Sequence, residues 1–469
     1  MPATPQARTS GDARTSLAKL HDLSAEQLNR SVIEHRAFEA VVWGMPAVNF
    51  QLLCDATIAV GGAMNQVVYW SKLPDWKIQT LTPNPDVIYL YPFFDTKHVG
   101  PMVLEIPPAD GGSITGSVDD AWQTALEDVG PAGVDKGKGG KYLILPPGYK
   151  DKVPGGYIAL PCETYRSYAI LRSNLASGSD ADVAKAVAYG KRVKVYPLSQ
   201  AADPPGTKFV DALNSVYENI IPYDLRFFSL LDRFVQHEPW ITRDKAMIDM
   251  LKSIGIEKGK AFSPDEEMQD ILNTAAAEAR AWLDLRYEDI FAKQRFVPSA
   301  RWTLPVNPEM AEGMQTDFAN PDSYPVDGRG VAYSMAYFSA KHLGAGQYYL
   351  MTVRDKDGDA FDGAKTYRLK VPANPPVKLY WSATIYDRET HAPIREVSRA
   401  SRASTSPGIQ KNADGSTDVY FGPQAPDGQD ANWVPTNADG KFEVLFRFYG
   451  PEKPLFDKSW VLPDIEKMK

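Results

Sequence analysis

The sequence predicts a mainly β fold with helical additions: two antiparallel β-sandwich domains, helices before the first and a helical insert between the two. Three observations predict it. Short apolar runs separated by Pro or Gly clusters recur from Thr80 to Leu198 and again from Tyr333 to the C-terminus, the spacing of sandwich strands. Between them, residues 203–293 carry apolar side chains at helical spacing. At 469 residues the chain is also too long for one ordinary core, which calls for two or three domains.

The elements follow in order. Residues 1–20 are rich in Ala, Ser, Thr and Arg and lack an apolar core segment, so they read as a disordered tail rather than a signal peptide. Residues 21–79 hold the N-terminal helices. Ser24-Ala25-Glu26-Gln27 forms a capping box, Gly44-Met45-Pro46 should break or kink the helix that follows, and a second helix should run from Ala47 to Val60. Residues 80–202 form the first sandwich, with a helix at Asp180 to Tyr189. In the insert, residues 203–293, Asp224, Thr242 and the Ser263-Pro264-Asp265-Glu266 box mark helix starts. Residues 294–332 show little periodicity and read as a long arm, a feature often used between subunits. Residues 333–469 form the second sandwich, with hairpin signals at Asp357-Gly358 and Asp414-Gly415.

Composition narrows the function. A net charge of -8 disfavours nucleic acid, which wants a basic surface. We find no window of about 18 apolar residues, so no membrane span is expected. The two cysteines, Cys54 and Cys162, read as separate buried thiols. A cytoplasmic location is expected for the sequence as it stands, and a periplasmic one if a leader has been removed. No His-Glu-x-x-His, Gly-x-Ser-x-Gly or Gly-x-Gly-x-x-Gly is present, which argues against a zinc site, a hydrolase elbow and a dinucleotide fold. No organic cofactor is expected. A hard cation such as Ca²⁺ or Mg²⁺ would need only carboxylates and carbonyls, and Asp86 and Asp120 are the carboxylates to examine. Asp355-Lys356-Asp357-Gly358-Asp359 lacks the Gly and Glu positions of a calcium loop and reads as a hairpin tip.

Three stretches carry a resemblance. They are Asp128-Val129-Gly130-Pro131-Ala132-Gly133 through Lys138 to Tyr149, then Ile254 to Lys260, and a C-terminal set. The last comprises Tyr380-Trp381-Ser382-Ala383-Thr384-Ile385-Tyr386-Asp387, Tyr420-Phe421-Gly422-Pro423, Asn432-Trp433-Val434-Pro435 and Phe446-Arg447-Phe448-Tyr449-Gly450-Pro451. Together they resemble bacterial proteins that pair a domain of unknown function 1254 with a domain of unknown function 1214, over about Glu34 to Ile465. The resemblance implies two jelly-roll-type sandwiches, frequent export and assembly as a homo-oligomer, a dimer or tetramer. Members usually carry Asn-x-Asp-Thr-x-Tyr; here Asn84-Pro85-Asp86-Val87-Ile88-Tyr89 puts Val87 at the hydroxyl position.

These stretches also supply the candidate site. Asn84, Asp86, Tyr89 and Tyr91 begin a strand in which Tyr89 and Tyr91 share one face. Asp86 would act as base or orienter and Tyr89 as proton donor, although Asn84 and Asp86 also suit a hydrogen-bonded turn. Arg447 in an apolar strand needs a partner: either Asp387 in a structural pair, or an anionic substrate group. Asp119 reads as part of a solvated turn, Trp122 and Gln123 as a pocket wall, and Trp381, Tyr386, Asn432, Trp433 and Tyr449 as aromatic and polar walls. The expected function is a small-molecule enzyme, a hydrolase, with an aromatic-lined pocket between or within the sandwiches. The alternative is a non-catalytic scaffold that binds a carbohydrate or other ligand.

Overall fold

The computed structural model describes residues 23–336, 340–342 and 346–468; the tail expected at residues 1–20 lies outside them. The helices are α1 (Ala25–Ala59), α2 (Asp180–Gly190), α3 (Leu225–His237), α4 (Met247–Ser253), α5 (Glu266–Lys293), α6 (Pro308–Gln315), α7 (Val326–Met335) and the short α8 (Lys453–Phe456). The first β region holds β1 (Gln66–Tyr69), β2 (Ile78–Gln79), β3 (Ile88–Asp95), β4 (Met102–Ile106), β5 (Ile114–Asp120), β6 (Ala125–Val129), β7 (Gly140–Leu145), β8 (Ile158–Pro161), β9 (Arg166–Ser173), β10 (Lys194–Pro197), β11 (Phe209–Asp211) and β12 (Tyr217–Glu218). The second holds β13 (Gln347–Thr352), β14 (Tyr367–Val371), β15 (Val377–Asp387), β16 (Ser401–Ala403), β17 (Thr417–Gly422), β18 (Trp433–Pro435), β19 (Phe442–Pro451) and β20 (Glu466–Lys467). The mainly β plan with helical additions holds, and the sheets pair mostly antiparallel.

In the first domain a six-stranded sheet, β11-β1-β3-β9-β5-β6, faces a four-stranded one, β10-β4-β7-β8. Alternation along β3 sends Leu90 and Phe94 into the core between the sheets and Tyr89, Tyr91 and Phe93 into the core shared with the helices. The domain is thus three layers: helices, a doubly covered sheet, and a second sheet. Within the motif that begins at Asp128, Gly130 has φ 83°, and a Cβ there would lie 1.8 Å from the Ile114 carbonyl oxygen, so only glycine fits. The C-terminal domain packs β13-β19-β15-β16 on β18-β17-β14-β20. Val444, Phe446 and Phe448 of β19 fill the core between these sheets. Glu443, Leu445, Arg447 and Tyr449 take the alternate positions, and Leu445 packs into the core of the first domain's helices.

Two helical expectations need correction. The capping box at Ser24 forms, but α1 runs unbroken through Pro46 for 35 residues. An interior proline costs roughly 3 kcal/mol; here packing around the site offsets it. Leu231 packs onto Gly44, where a Cβ would meet it at 3.0 Å, and Gly330 of α7 lies so close that a Cβ would sit 3.0 Å from the Val42 carbonyl oxygen, the acceptor Pro46 cannot use. Against the expectation that no apolar window would be long enough, α1 could by length and composition cross a membrane, and 83% of its apolar window is buried inside the fold. The second correction is the arm: residues 294–332 contain α6 and most of α7, and α7 packs on α1. Every residue from Gly328 to Met335 is buried, so a loop-like sequence conceals an integral helix. Cys54 and Cys162 are separate, buried thiols, as expected, each pushed up to about 12 by burial. Asp355 accepts from the backbone N–H of Asp357, Gly358 and Asp359, which is the expected tip.

Candidate functional site

The sequence motif at Asn84 is a joint between the domains. The Asn84 side chain donates to the hydroxyls of Tyr380 (3.2 Å) and Tyr449 (2.6 Å) in the second domain. Its oxygen accepts from the Asp86 N–H (2.9 Å), and its own N–H donates to the Tyr89 hydroxyl (2.8 Å). Tyr380 and Tyr449 stack with ring centroids 4.3 Å apart. Asn84→Ala removes the three side-chain bonds at once, and a net loss of about 2 kcal/mol in unfolding free energy is expected, read from denaturant melts.

Arg447 completes the joint. Its guanidinium donates to Thr384 Oγ1 (2.9 Å), the carbonyls of Thr82 (2.8 Å) and Pro83 (3.3 Å), and the Tyr386 hydroxyl (2.5 Å). The expected pair with Asp387 does not form: Asp387 accepts from the backbone of Glu389 and Thr390 and so ties its own turn. Among the described residues no carboxylate pairs with Arg447.

Arg172 on β9 is the residue that sequence reading missed. It sits opposite Tyr89 in register, with its guanidinium 5.6 Å from the Tyr89 ring centre. Its Nε is buried without a hydrogen-bond partner, and no ion pair reaches the group among the described residues. Arg172 and Arg447 share a small chamber of about 30 Å³ with Tyr89, Tyr91 and Tyr349. Arg172, Ile170 and Tyr349 also line an outer cavity of about 130 Å³, whose walls include Tyr168, Tyr449, Ser117, Asn174 and Asp119. Asp128, Val129 and Ala132, from the long Gly-rich motif, border the same cavity. The arrangement is an apolar pocket with a few convergent polar groups and two guanidiniums at its inner end. A sequence signal for Arg172 did exist: it closes the apolar run from Tyr168 to Leu171. An arginine at a strand end, however, ordinarily reads as solvent-facing.

The other expected residues are dispersed. Asp86 accepts from Ser401 Oγ (2.8 Å) and lines a different cavity, with Trp76, Tyr380 and Arg402; burial raises its pKa above the usual carboxylate value. Trp122 packs on Trp43 (4.8 Å) and Phe234 (5.0 Å) in the helical core. Gln123 bridges Pro46 and Tyr168. Trp381 stacks on Phe446 inside the second sandwich. Asn432 ties Gln410 and Asp418, and Trp433 donates to the Gly422 carbonyl. Tyr386 donates to Pro83 (2.5 Å). Asp119, expected in a solvated turn, is 2% exposed within β5, because its segment is an inner strand of the six-stranded sheet. Among the described residues no three His, Cys, Asp or Glu converge as for a metal ion.

Asp120 is buried, and desolvation pushes its carboxyl up to about 6 despite the nearby Arg243 and Arg329. A raised acid loses stability as pH climbs. Between about pH 4 and 6 the unfolded chain ionises while the folded chain stays protonated, so the folded state falls by about 3 kcal/mol. Wild type should therefore lose most of this, about 2 kcal/mol, between pH 4 and 7 relative to Asp120→Asn. Urea denaturation of both proteins at the two pH values checks this; parallel responses would contradict it.

Two family models match the chain: a protein of unknown function (DUF1254) over residues 64–197 and a protein of unknown function (DUF1214) over residues 346–453. No curated protein matches. Among solved structures, the VPA0106 protein from Vibrio parahaemolyticus is similar at 17% identity and TM-score 0.56, covering 93% of this chain and 100% of that one. An uncharacterized protein from Burkholderia cenocepacia aligns at 9% identity and TM-score 0.42, over 94% and 96% of the two chains. The Vibrio likeness bears on the fold alone.

Proposed function

Because the chain belongs to the family that joins a DUF1254 domain to a DUF1214 domain, whose description assigns no activity, we propose a function from its own site: a small-molecule hydrolase working in the cavity between its two domains. The substrate carries an anionic group beside an apolar body. One observation carries this reading: among the described residues the Arg172 guanidinium has no anionic partner, and it lies where an aromatic-lined cavity meets the chamber of Arg447. Buried guanidiniums favour carboxylates and developing oxyanions. Arg447 spends its N–H groups on the protein and contributes charge from behind.

Tyr89 fits the proton-donor role, since its oxygen accepts from Asn84 and its own proton is available to the chamber. Tyr349 and Tyr449 serve as walls. Asp119, on the outer cavity, takes the base role that sequence reading gave to Asp86. The test is a panel of esters, amides and glycosides bearing carboxylates, run with wild type and Tyr89→Phe. Turnover by wild type that falls with Tyr89→Phe is expected; no turnover anywhere in the panel would refute catalysis.

One observation favours the non-catalytic alternative. Asn84, Trp122, Gln123, Trp381 and Asn432 all hold the structure together, which leaves few groups for chemistry. A binding protein would retain the Arg172 site without turnover. Jelly-roll connectivity in each sandwich and assembly as a dimer or tetramer belong to the same proposal; they rest on the family resemblance, since the arm that also suggested assembly is a packed helix. Sedimentation showing only a 51.9 kDa species would contradict the assembly.

A further inference from the structure

A second cavity, of about 440 Å³, lies between α5 and the C-terminal sandwich, away from the Arg172 chamber. Its lining includes Tyr287, His391, Arg280, Arg388 and Lys441. His391 Nδ1 lies 2.8 Å from Glu443 Oε1, and the other oxygen of Glu443 accepts from the Tyr287 hydroxyl at 2.6 Å. Glu443 is fully buried and His391 keeps 13% of its side chain exposed. The backbone of His391 is held on both sides: its N–H donates to Asp387 (2.9 Å), and its carbonyl accepts from Thr82 (2.7 Å). It adopts φ 56°, a left-handed conformation that L side chains rarely take.

This geometry has a chemical consequence. With Nδ1 bonded to Glu443, Nε2 is the ring nitrogen left for a guest, an acceptor in the tautomer that carries its proton on Nδ1. Nε2 has no hydrogen-bond partner among the described residues. The cavity wall carries both signs, Arg280, Arg354, Arg388 and Lys441 beside Asp284, Glu288 and Glu389. Arg388 pairs with Asp284 and Glu288, and Arg354 with Glu288. Arg280 and Lys441 stand in no ion pair among the described residues. An oriented acceptor beside unpaired cations matches a guest with both a hydroxyl and a carboxylate.

We propose that this cavity is a second ligand site that binds a small hydroxylated organic acid, whose hydroxyl donates to His391 Nε2 while its carboxylate meets Arg280 and Lys441. The probe is malate, with succinate, which lacks the hydroxyl, as control. In ¹⁵N-resolved NMR of the wild-type protein, malate is expected to shift the Nε2 resonance of His391, and succinate to leave it in place. Calorimetry should show malate weakened about tenfold in His391→Phe, with succinate unaffected. No Nε2 shift with malate would overturn the proposal, and so would equal shifts with both acids. Because the NMR arm uses wild type, it stands even if the variant fails to fold.

Discussion

Arg447→Leu is expected to lower unfolding free energy by about 3–5 kcal/mol. The substitution leaves Thr384 Oγ1, the carbonyls of Thr82 and Pro83 and the Tyr386 hydroxyl without their donor. Two of these acceptors lie in the segment leading into β3 of the first domain, so the loss falls on the contact between domains. Arg447→Lys keeps the charge but loses the planar fork, and should recover only part of the stability. Denaturant melts of the three proteins decide the matter. A cost below about 1 kcal/mol for Arg447→Leu, within the range of ordinary surface changes, would mean the guanidinium does not join the domains.

Trp122→Ala carries the second large effect. The indole fills the core against Trp43 and Phe234, with the Arg243 guanidinium 5.7 Å from its ring centre. Its removal should leave a cavity costing about 3–5 kcal/mol. As a pocket wall, the role read from sequence, Trp122 would instead change ligand affinity at nearly constant stability. Melting curves and ligand titration of one variant separate the two.

Much of the fold was legible because alternation and capping are local. Tyr89 and Tyr91 share a face of β3, and Ser24 caps α1, both readable within a few residues. The misreadings arose where distant contacts override local preference. Pro46 stays inside α1 because Gly330, far along the chain, packs against the turn it weakens. Residues 328–335 lack helical periodicity because every one of them is buried, which removes the amphipathic signal. At the site, the burial of Arg447 could be inferred from its apolar strand. Its partners could not all be inferred, since two of them are carbonyls about 365 positions away, and a carbonyl leaves no mark in sequence. Arg172 was overlooked for the converse reason: its strand-end position suggests solvent, and only the second domain turns that edge into a cavity.

The central claim is that Arg172 receives the anionic group of a ligand between the domains. Calorimetric titration of benzoate, an aromatic ring bearing a carboxylate, into wild type and Arg172→Met tests it most directly. Saturable binding to wild type, weakened at least about tenfold by the substitution, is the predicted result. Equal affinity in the two proteins, or no binding to wild type at millimolar benzoate, would contradict it.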